Sequence, residues 1–269
     1  MPSWSREQFG SVVRLTLARP PINALDQNAL EELADVLREL EAERTSSCLI
    51  VTGGLEGIFC SGGDLKYWRG IRDGRAVSSA GAEVFLRLAR LDIPTIAGIN
   101  GQVIGDGIGL ALACDLRVAS HRASFRLPEA AYGFIPGWGS IGMLVAAVGR
   151  AHASELLLAG RSLDAGRARS MGLVTDVVPS ERLSETLLEW GRSIEAFSPN
   201  ALRAAKRALR GGDELAHFER VWGGVDWEKG IAALLAKRAP VFAEQGGHAD
   251  GLDRGVQAHR TEDRGNHCC

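Results

Sequence analysis

The sequence predicts an α/β fold whose last third is a helical region, and three observations carry that expectation. Short apolar runs that read as strands alternate with segments of helical periodicity through the first two-thirds of the chain. Two of those runs, "CLIVTGG" (48–54) and "PTIAGING" (94–101), lead through glycine-rich turns into helical segments. From residue 180 to about 242 helical periodicity dominates, with breaks at Pro199, Gly211-Gly212 and Gly223-Gly224. The expected organisation is a core over residues 1–195, a helical region over 196–245, and a tail over 246–269. The tail holds few large apolar groups and reads as disordered. At 269 residues, 45% apolar and 24% charged, the chain suffices for one large domain, with or without a helical appendage.

The elements follow in order. "SVVRLTLA" (11–18) alternates as a strand does and stops at Pro20-Pro21. Asp26 caps a helix from 27 to about 44, with Leu30, Leu33, Leu37 and Leu40 along one face. "CLIVTGG" is a buried strand, and after the turn at 60–63 a helix starts near Asp64. "AVSSAGA" (76–82) reads as a loop ahead of a second helical stretch over 83–91. "PTIAGING" is another buried strand, "GLALAC" (109–114) a helix, and "DLRVAS" (115–120) and "ASFRLP" (123–128) short strands. Helices are expected over 141–148, 152–159 and 163–171, with "LVTDVV" (173–178) as one strand after them. No internal repeat is evident.

Composition argues against several classes of function. A formal charge of −2 with no basic cluster argues against a nucleic-acid surface. No apolar run approaches the roughly 20 residues of a membrane span, and "MPSWSREQFG" lacks a signal peptide's apolar stretch. Five cysteines, an odd number without CxxC spacing, predict reduced thiols in a cytoplasmic protein. Cys268 and Cys269 end the polar tail and read as incidental. The six histidines show no metal-ligand spacing, and no GxSxG, HExxH or P-loop pattern occurs, so no metal or redox cofactor is expected.

What remains distinctive is a repeated arrangement of apolar strand, glycine turn and helix. The first turn lies in "FCSGGDLK" (59–66), and the second, "GQVIGDGIGLALACD" (101–115), sets glycines 101, 105, 107 and 109 around Asp106. Close packing of helix on strand explains such glycines without any function, and G-D-G-I-G is not the spacing of a dinucleotide fingerprint. The sharper reading is chemical. Two backbone N–H groups converging from two such turns make an oxyanion hole, which stabilises a thioester enolate or a tetrahedral intermediate.

Five segments in sequence order carry a resemblance. They are "RPPINAL" (19–25), "FCSGGDLK" (59–66), "IPTIAGINGQVIGDGIGLALACDLRVAS" (93–120), "LPEAAYGFIPGWGS" (127–140) and "LAGRSLDAGRARSMGLVTDVV" (158–178). Together they closely resemble the enoyl-CoA hydratase/isomerase, or crotonase, superfamily, and "AKRAPVF" (236–242) resembles its C-terminal helix. The resemblance covers about residues 11–243. It implies a crotonase-like spiral of ββα units with a helical C-terminal region, assembled as a homotrimer or a dimer of trimers. It also implies an acyl-CoA thioester substrate, with coenzyme A present only as part of that substrate.

Residue by residue, the resemblance implies an oxyanion hole made by the N–H groups of Gly63 and Asp106, and an acid/base at Glu129. Hydratases of the family use two glutamates; the first falls here at Gly109, so one of the pair is kept. One carboxylate beside an oxyanion hole suffices for an allylic double-bond shift, and it can also position water for hydration. Decarboxylation, C–C cleavage, and acyl-CoA binding with little catalysis remain as alternatives. The Asp106 side chain is expected to serve the helix start rather than the substrate, because a carboxylate beside an enolate repels it. Glu129 precedes the apolar "AAYGFIPGW", a candidate pocket wall that would raise its pKa by desolvation.

Coenzyme A contacts are implied at Gly63, Asp64, Leu65 and Lys66 for the pantetheine and thioester end, and at Asn23, Ala24 and Leu25 for the adenine side. Lys237 and Arg238 are candidates for phosphate contact, against a solvated helix face. Residues 67–82 read as a mobile, substrate-facing loop. Tyr67, Trp68, Trp138, Trp222 and Trp227 are read as core or interface before ligand contact; Trp138, if it faced the pocket, would favour a short or planar acyl group.

Overall fold

In the computed structural model, which describes residues 2–242, the chain builds two sheets at once. Strands β1 (Trp4–Phe9), β2 (Val12–Leu17), β3 (Cys48–Gly53), β5 (Thr95–Ile99), β7 (Leu116–Ser120) and β10 (Asp176–Val178) lie side by side in that order. Strands β4 (Ile58–Cys60), β6 (Gln102–Ile104), β8 (Ser124–Arg126) and β9 (Leu163–Asp164) form the smaller sheet, also in that order. All neighbours are parallel except β1 with β2 and β8 with β9. Since β3, β5 and β7 pair in one sheet while β4, β6 and β8 pair in the other, each turn of chain adds one strand to each. The path is therefore a spiral.

Helices close the turns. The helix α1 (Gln27–Glu43) starts where the Asp26 carboxylate accepts the Ala29 N–H at 2.9 Å, and it buries Leu30, Leu33, Leu37 and Leu40. Then come α2 (Leu65–Trp68), α3 (Gly74–Arg90) and α4 (Gly107–Leu112). The long α5 (Ser140–Leu157) is broken at Gly149, with φ of 75°, which accounts for the two helical patterns read there. After α6 (Ala165–Ser170), α7 (Leu183–Glu195) lays Leu183, Leu187 and Ile194 on one face of the larger sheet, against Val12, Ile50, Ile96 and Val118. The last helices are α8 (Pro199–Leu209), α9 (Glu214–Val221) and α10 (Val225–Leu235), separated at the three expected breaks. The tail over 246–269, with Cys268 and Cys269, lies outside the described residues.

Three elements differ from expectation. Strand β1 carries polar residues at most positions, and its pairing with β2, together with the Trp4 indole donating to the Ala29 carbonyl at 2.8 Å, makes it a strand. Residues 76–82 are helical rather than a loop. The Asp73 side chain caps α3 at the N–H groups of Arg75 and Ala76, and Gly81 is the point where the Trp138 ring packs on the helix. Local propensity is overridden there by tertiary packing. The segment 163–171 opens with β9 before α6 begins, and the Asp164 side chain caps that helix at the Arg167 N–H.

One ion pair, between the buried Lys206 and the exposed Asp115, ties α8 to the core. The Lys206 ammonium donates to the Ile93 carbonyl at 2.6 Å and stands 2.5 Å from the Asp115 carboxylate, which also accepts from the N–H and hydroxyl of Thr95. Burial lowers the Lys206 pKa, and Asp115 opposes that shift. Removing Lys206 leaves the Ile93 carbonyl without its donor, while Asp115 keeps solvent and the two Thr95 donors. The Lys206→Ala variant is expected to lose about 1–3 kcal/mol of stability, read as a lower denaturant midpoint at unchanged slope.

Candidate active site

Two strand ends of the smaller sheet, β4 and β6, bring the two glycine turns into backbone contact. A Cβ on Gly62, whose φ is +76°, would lie 2.8 Å from the Asp106 nitrogen, and one on Gly107 would lie 2.2 Å from the Cys60 carbonyl oxygen. Neither position has room for a side chain. Among the described residues, neither the Gly63 N–H nor the Asp106 N–H finds an acceptor within the protein. Two donors on adjoining turns are thus left for something else.

The first turn is held by a polar frame. Leu25 and Gly63 form a parallel bridge, with Leu25 N–H donating to the Gly62 carbonyl at 2.7 Å and Asp64 N–H donating to the Leu25 carbonyl at 2.8 Å. The Asp64 side chain caps α2 by accepting the Lys66 and Tyr67 N–H groups. Arg19 reaches Asp64 at 2.9 Å and the Ala24 carbonyl at 2.7 Å, and also pairs with Asp26. Burial alone would raise the Asp64 pKa, but the Arg19 guanidinium and the two cap N–H groups hold it below the usual carboxylate range. Asn23 is buried, its side-chain amide donating to the carbonyls of Ile58 and Phe59 at 3.1 Å each.

Glu129 opens a short 3-10 helix, Glu129–Tyr132, and is 5% exposed. One carboxylate oxygen lies against Gly105, where a Cβ would come within 2.3 Å of it; the other, Oε2, has no hydrogen-bond partner. Burial pushes the carboxyl up to about 7; its own backbone N–H offsets part of the shift, and the Asp106 carboxylate adds to it. A carboxyl poised near neutrality gives and takes a proton with equal ease.

The Asp106 side chain does not cap its own helix. It turns to residues 137–140, accepting the Gly137 N–H at 3.0 Å, the Trp138 N–H at 3.2 Å and the Ser140 hydroxyl at 2.6 Å. Serving the helix start is therefore corrected to holding a separate loop. Beyond it, a Cβ at Gly109 would meet the Ser140 hydroxyl oxygen at 2.2 Å and the Phe85 ring at 3.0 Å. The position that would carry a second carboxylate has neither the side chain nor the space for one.

Trp138 is not a pocket wall. At 2% exposure it donates to the Val77 carbonyl at 2.9 Å, packs edge-on to Trp68 and Phe85, and backs Gly63, whose Cβ would lie 3.3 Å from its ring. Trp68 is buried as well, donating to the Leu25 carbonyl. Tyr132, Phe134 and Ile135 stand open to solvent rather than enclosing Glu129. Asn23, Ala24 and Leu25 are buried. Leu65, Lys66 and Tyr67 are exposed beside the first turn, as are Lys237 and Arg238 after α10. Trp222 stacks between Phe218 and Trp227 in the C-terminal helices.

A groove of about 770 Å³ between α1, the end of α3 and α8–α10 shares no residue with this site. Among the described residues no group of three or more His, Cys, Asp or Glu is placed to hold a metal ion, and no helix is long and apolar enough to cross a membrane. Sequence reading missed Arg19 and Ser140, whose partners stand 45 and 34 residues away along the chain.

Comparison with known proteins agrees with this geometry. Residues 7–245 match the family model described as enoyl-CoA hydratase/isomerase. The 2,3-dehydroadipyl-CoA hydratase of Escherichia coli (strain K12) is 35% identical over 249 residues, 88% of this chain and 96% of that one. The short-chain-enoyl-CoA hydratase of Clostridium acetobutylicum is 34% identical over 209 residues, 77% of this chain and 80% of that one. Among solved structures, an enoyl-CoA hydratase from Bacillus anthracis superposes with a TM-score of 0.85 at 33% identity, covering 89% of this chain and 98% of its own. DspI of Pseudomonas aeruginosa gives 0.86 at 30% identity, covering 90% and 97%.

The raised Glu129 pKa has a consequence for stability. The folded carboxyl titrates at about 7 against an ordinary 4.5, so folding is favoured while the group is protonated and loses that contribution as pH rises from 4.5 through 7. A Glu129→Gln variant, neutral throughout, is expected to match the parent near pH 4 and to exceed its stability by ~1–3 kcal/mol at about pH 8, measured by chemical denaturation.

Proposed function

Because the chain belongs to the enoyl-CoA hydratase/isomerase family, we propose that its acyl-CoA substrate places the thioester oxygen between the N–H groups of Gly63 and Asp106, beside Glu129. The chain is an enzyme of the acyl-CoA hydratase/isomerase type. The observation that carries the finer reading is the buried, unpartnered Glu129 oxygen beside the second glycine turn, on a carboxyl pushed up to about 7. Its ionised form takes a proton from C2 of a 3-enoyl-CoA, and the electron pair passes into the thioester, giving a dienolate. The two N–H groups receive the oxygen's growing charge, each such donor being worth about 2.7–4 kcal/mol in related chemistry. Protonation at C4 by the same carboxyl gives the 2-enoyl-CoA and restores Glu129.

One carboxylate suffices for that shift, and the crowding of Gly109 by Ser140 and Phe85 supports it as the first reading. Hydration of a 2-enoyl-CoA is the second, favoured by the hydratase names of the relatives. It asks Glu129 both to activate water and to protonate C2. Coenzyme A enters as part of the substrate, along Gly63, Asp64, Leu65 and the exposed Lys66. No resident cofactor has a step to perform. A cytoplasmic location fits this reading, supported among the described residues by Cys48, Cys60 and Cys114, which are buried and unpaired.

We assign the assembly as a homotrimer, or two trimers, through α9 and α10, which expose Leu215, Phe218, Trp222, Val225, Leu234 and Leu235. An apolar face of this kind marks a contact surface. Trp222→Glu is expected to shift the mass measured by light scattering from a trimer or hexamer to the single chain.

The reaction is tested by mass spectrometry of products from 2-enoyl-CoA and 3-enoyl-CoA substrates in D2O, alongside Glu129→Gln. A moved double bond with deuterium incorporated, lost in the variant, supports the shift; gain of water supports hydration; no change in either substrate overturns both. For the shift, kcat/KM is expected to fall below about pH 7, as Glu129 becomes protonated.

A further inference from the structure

We propose that the Asp106 side chain is a positioning residue, an anionic strut that holds residues 137–140 and, through Trp138, fixes the spacing of the two oxyanion donors. The proposal rests on the enoyl-CoA reading above and adds a role for a side chain to which that reading gives none.

Asp106 contributes twice, from two different atoms. Its N–H faces the turn that carries Gly63, where Gly62 makes the close approach. Its carboxylate points to the loop before α5, taking three hydrogen bonds from Gly137, Trp138 and Ser140. That loop is tied in turn to α3: the Ser78 hydroxyl donates to the Gly137 carbonyl at 2.6 Å, and the Trp138 indole donates to Val77. The Trp138 ring then closes the circuit, lying against Gly81 on one side and Gly63 on the other. A displacement of residues 137–140 therefore moves the support behind Gly63. Both N–H groups share one rigid frame because a single residue, Asp106, carries one donor and braces the other.

The strut also resolves an electrostatic conflict. A carboxylate beside a growing enolate opposes it, yet three donors hold this one on the 137–140 side and disperse its charge. Asp106 is also the charged neighbour that bears on the Glu129 carboxyl. Asparagine at 106 offers one acceptor oxygen where aspartate offers two, so it breaks part of the frame and removes the charge while keeping the size.

The experiment compares the unsubstituted protein with Asp106→Asn, Asp106→Ala and Ser140→Ala. Binding of acetoacetyl-CoA, a 3-oxoacyl thioester whose enolate absorbs in the near ultraviolet, reads the donors without turnover. Asp106→Asn and Asp106→Ala are expected to weaken the enolate signal and to lower kcat by about tenfold or more, the scale of a lost charged hydrogen bond, with KM changed far less. In Asp106→Asn the acid limb of the pH profile moves to lower pH, because the charge that disfavoured Glu129 ionisation is gone; the strut itself is read by the enolate signal and by a loss in kcat rather than KM, which a merely structural role leaves in place. Ser140→Ala gives a smaller loss with the limb unmoved. Near-ultraviolet circular dichroism of the tryptophans verifies that each variant is folded. Unchanged enolate binding and an unchanged kcat in folded Asp106→Asn and Asp106→Ala overturn the strut. An unsubstituted protein that neither binds the enolate nor turns over an enoyl-CoA overturns the enoyl-CoA reading itself, before any substitution is considered.

Discussion

The contact between two glycine turns is the constraint on which the candidate active site depends. Backbone meets backbone there at distances a single Cβ would prevent, at Gly62 against Asp106 and at Gly107 against Cys60. The parallel pairing of β4 with β6 brings the two turns level, and the spiral path supplies that pairing by adding one strand to the smaller sheet on each circuit. With the carbonyls and N–H groups of Leu25, Gly62 and Asp64 already bonded, the Gly63 N–H is left over by construction.

Three carboxylates around these turns are treated in three ways, and the difference divides structure from chemistry. Asp64 is bound by Arg19 and two cap N–H groups, so it stays ionised as part of the frame. Asp106 receives three donors from residues 137–140. Glu129 is buried with one oxygen unmatched, and its affinity for a proton rises accordingly. Burying a polar group without a partner costs free energy, and a carboxyl lowers that cost by taking up a proton. That property is what suits Glu129 to the proton-carrying role proposed for it.

Much of this was legible in advance. Strand and helix alternation, the cap at Asp26, the leucine face of α1 and the breaks among the last helices are local patterns, and each stands where periodicity put it. The five motifs marked the turns and Glu129 because their order along the chain is itself information. What failed were segments whose state is decided by a distant partner. Residues 76–82 look irregular until Asp73 caps them and Trp138 packs on Gly81. Strand β1 looks like a polar leader until β2 and α1 claim Trp4. Trp138, Ser140 and Arg19 gave no sign of their contacts, since hydrogen bonds across dozens of residues leave no periodicity.

The sequence by itself determined the class of fold and the family, a glycine at 109, a glutamate at 129, and two glycine turns proposed to make an oxyanion hole. The fold class follows from composition and periodicity, and the family and the roles proposed for these residues follow from the resemblance that the ordered motifs carry; neither needs a third dimension. Only the tertiary structure decided where the Asp106 carboxylate points and why Gly109 has no space for a second acid. It alone made Trp138 a support behind Gly63 rather than a wall before the substrate. The physical reason is the direction of side chains: a sequence states which groups exist, whereas packing to near-crystalline density decides which way each must turn.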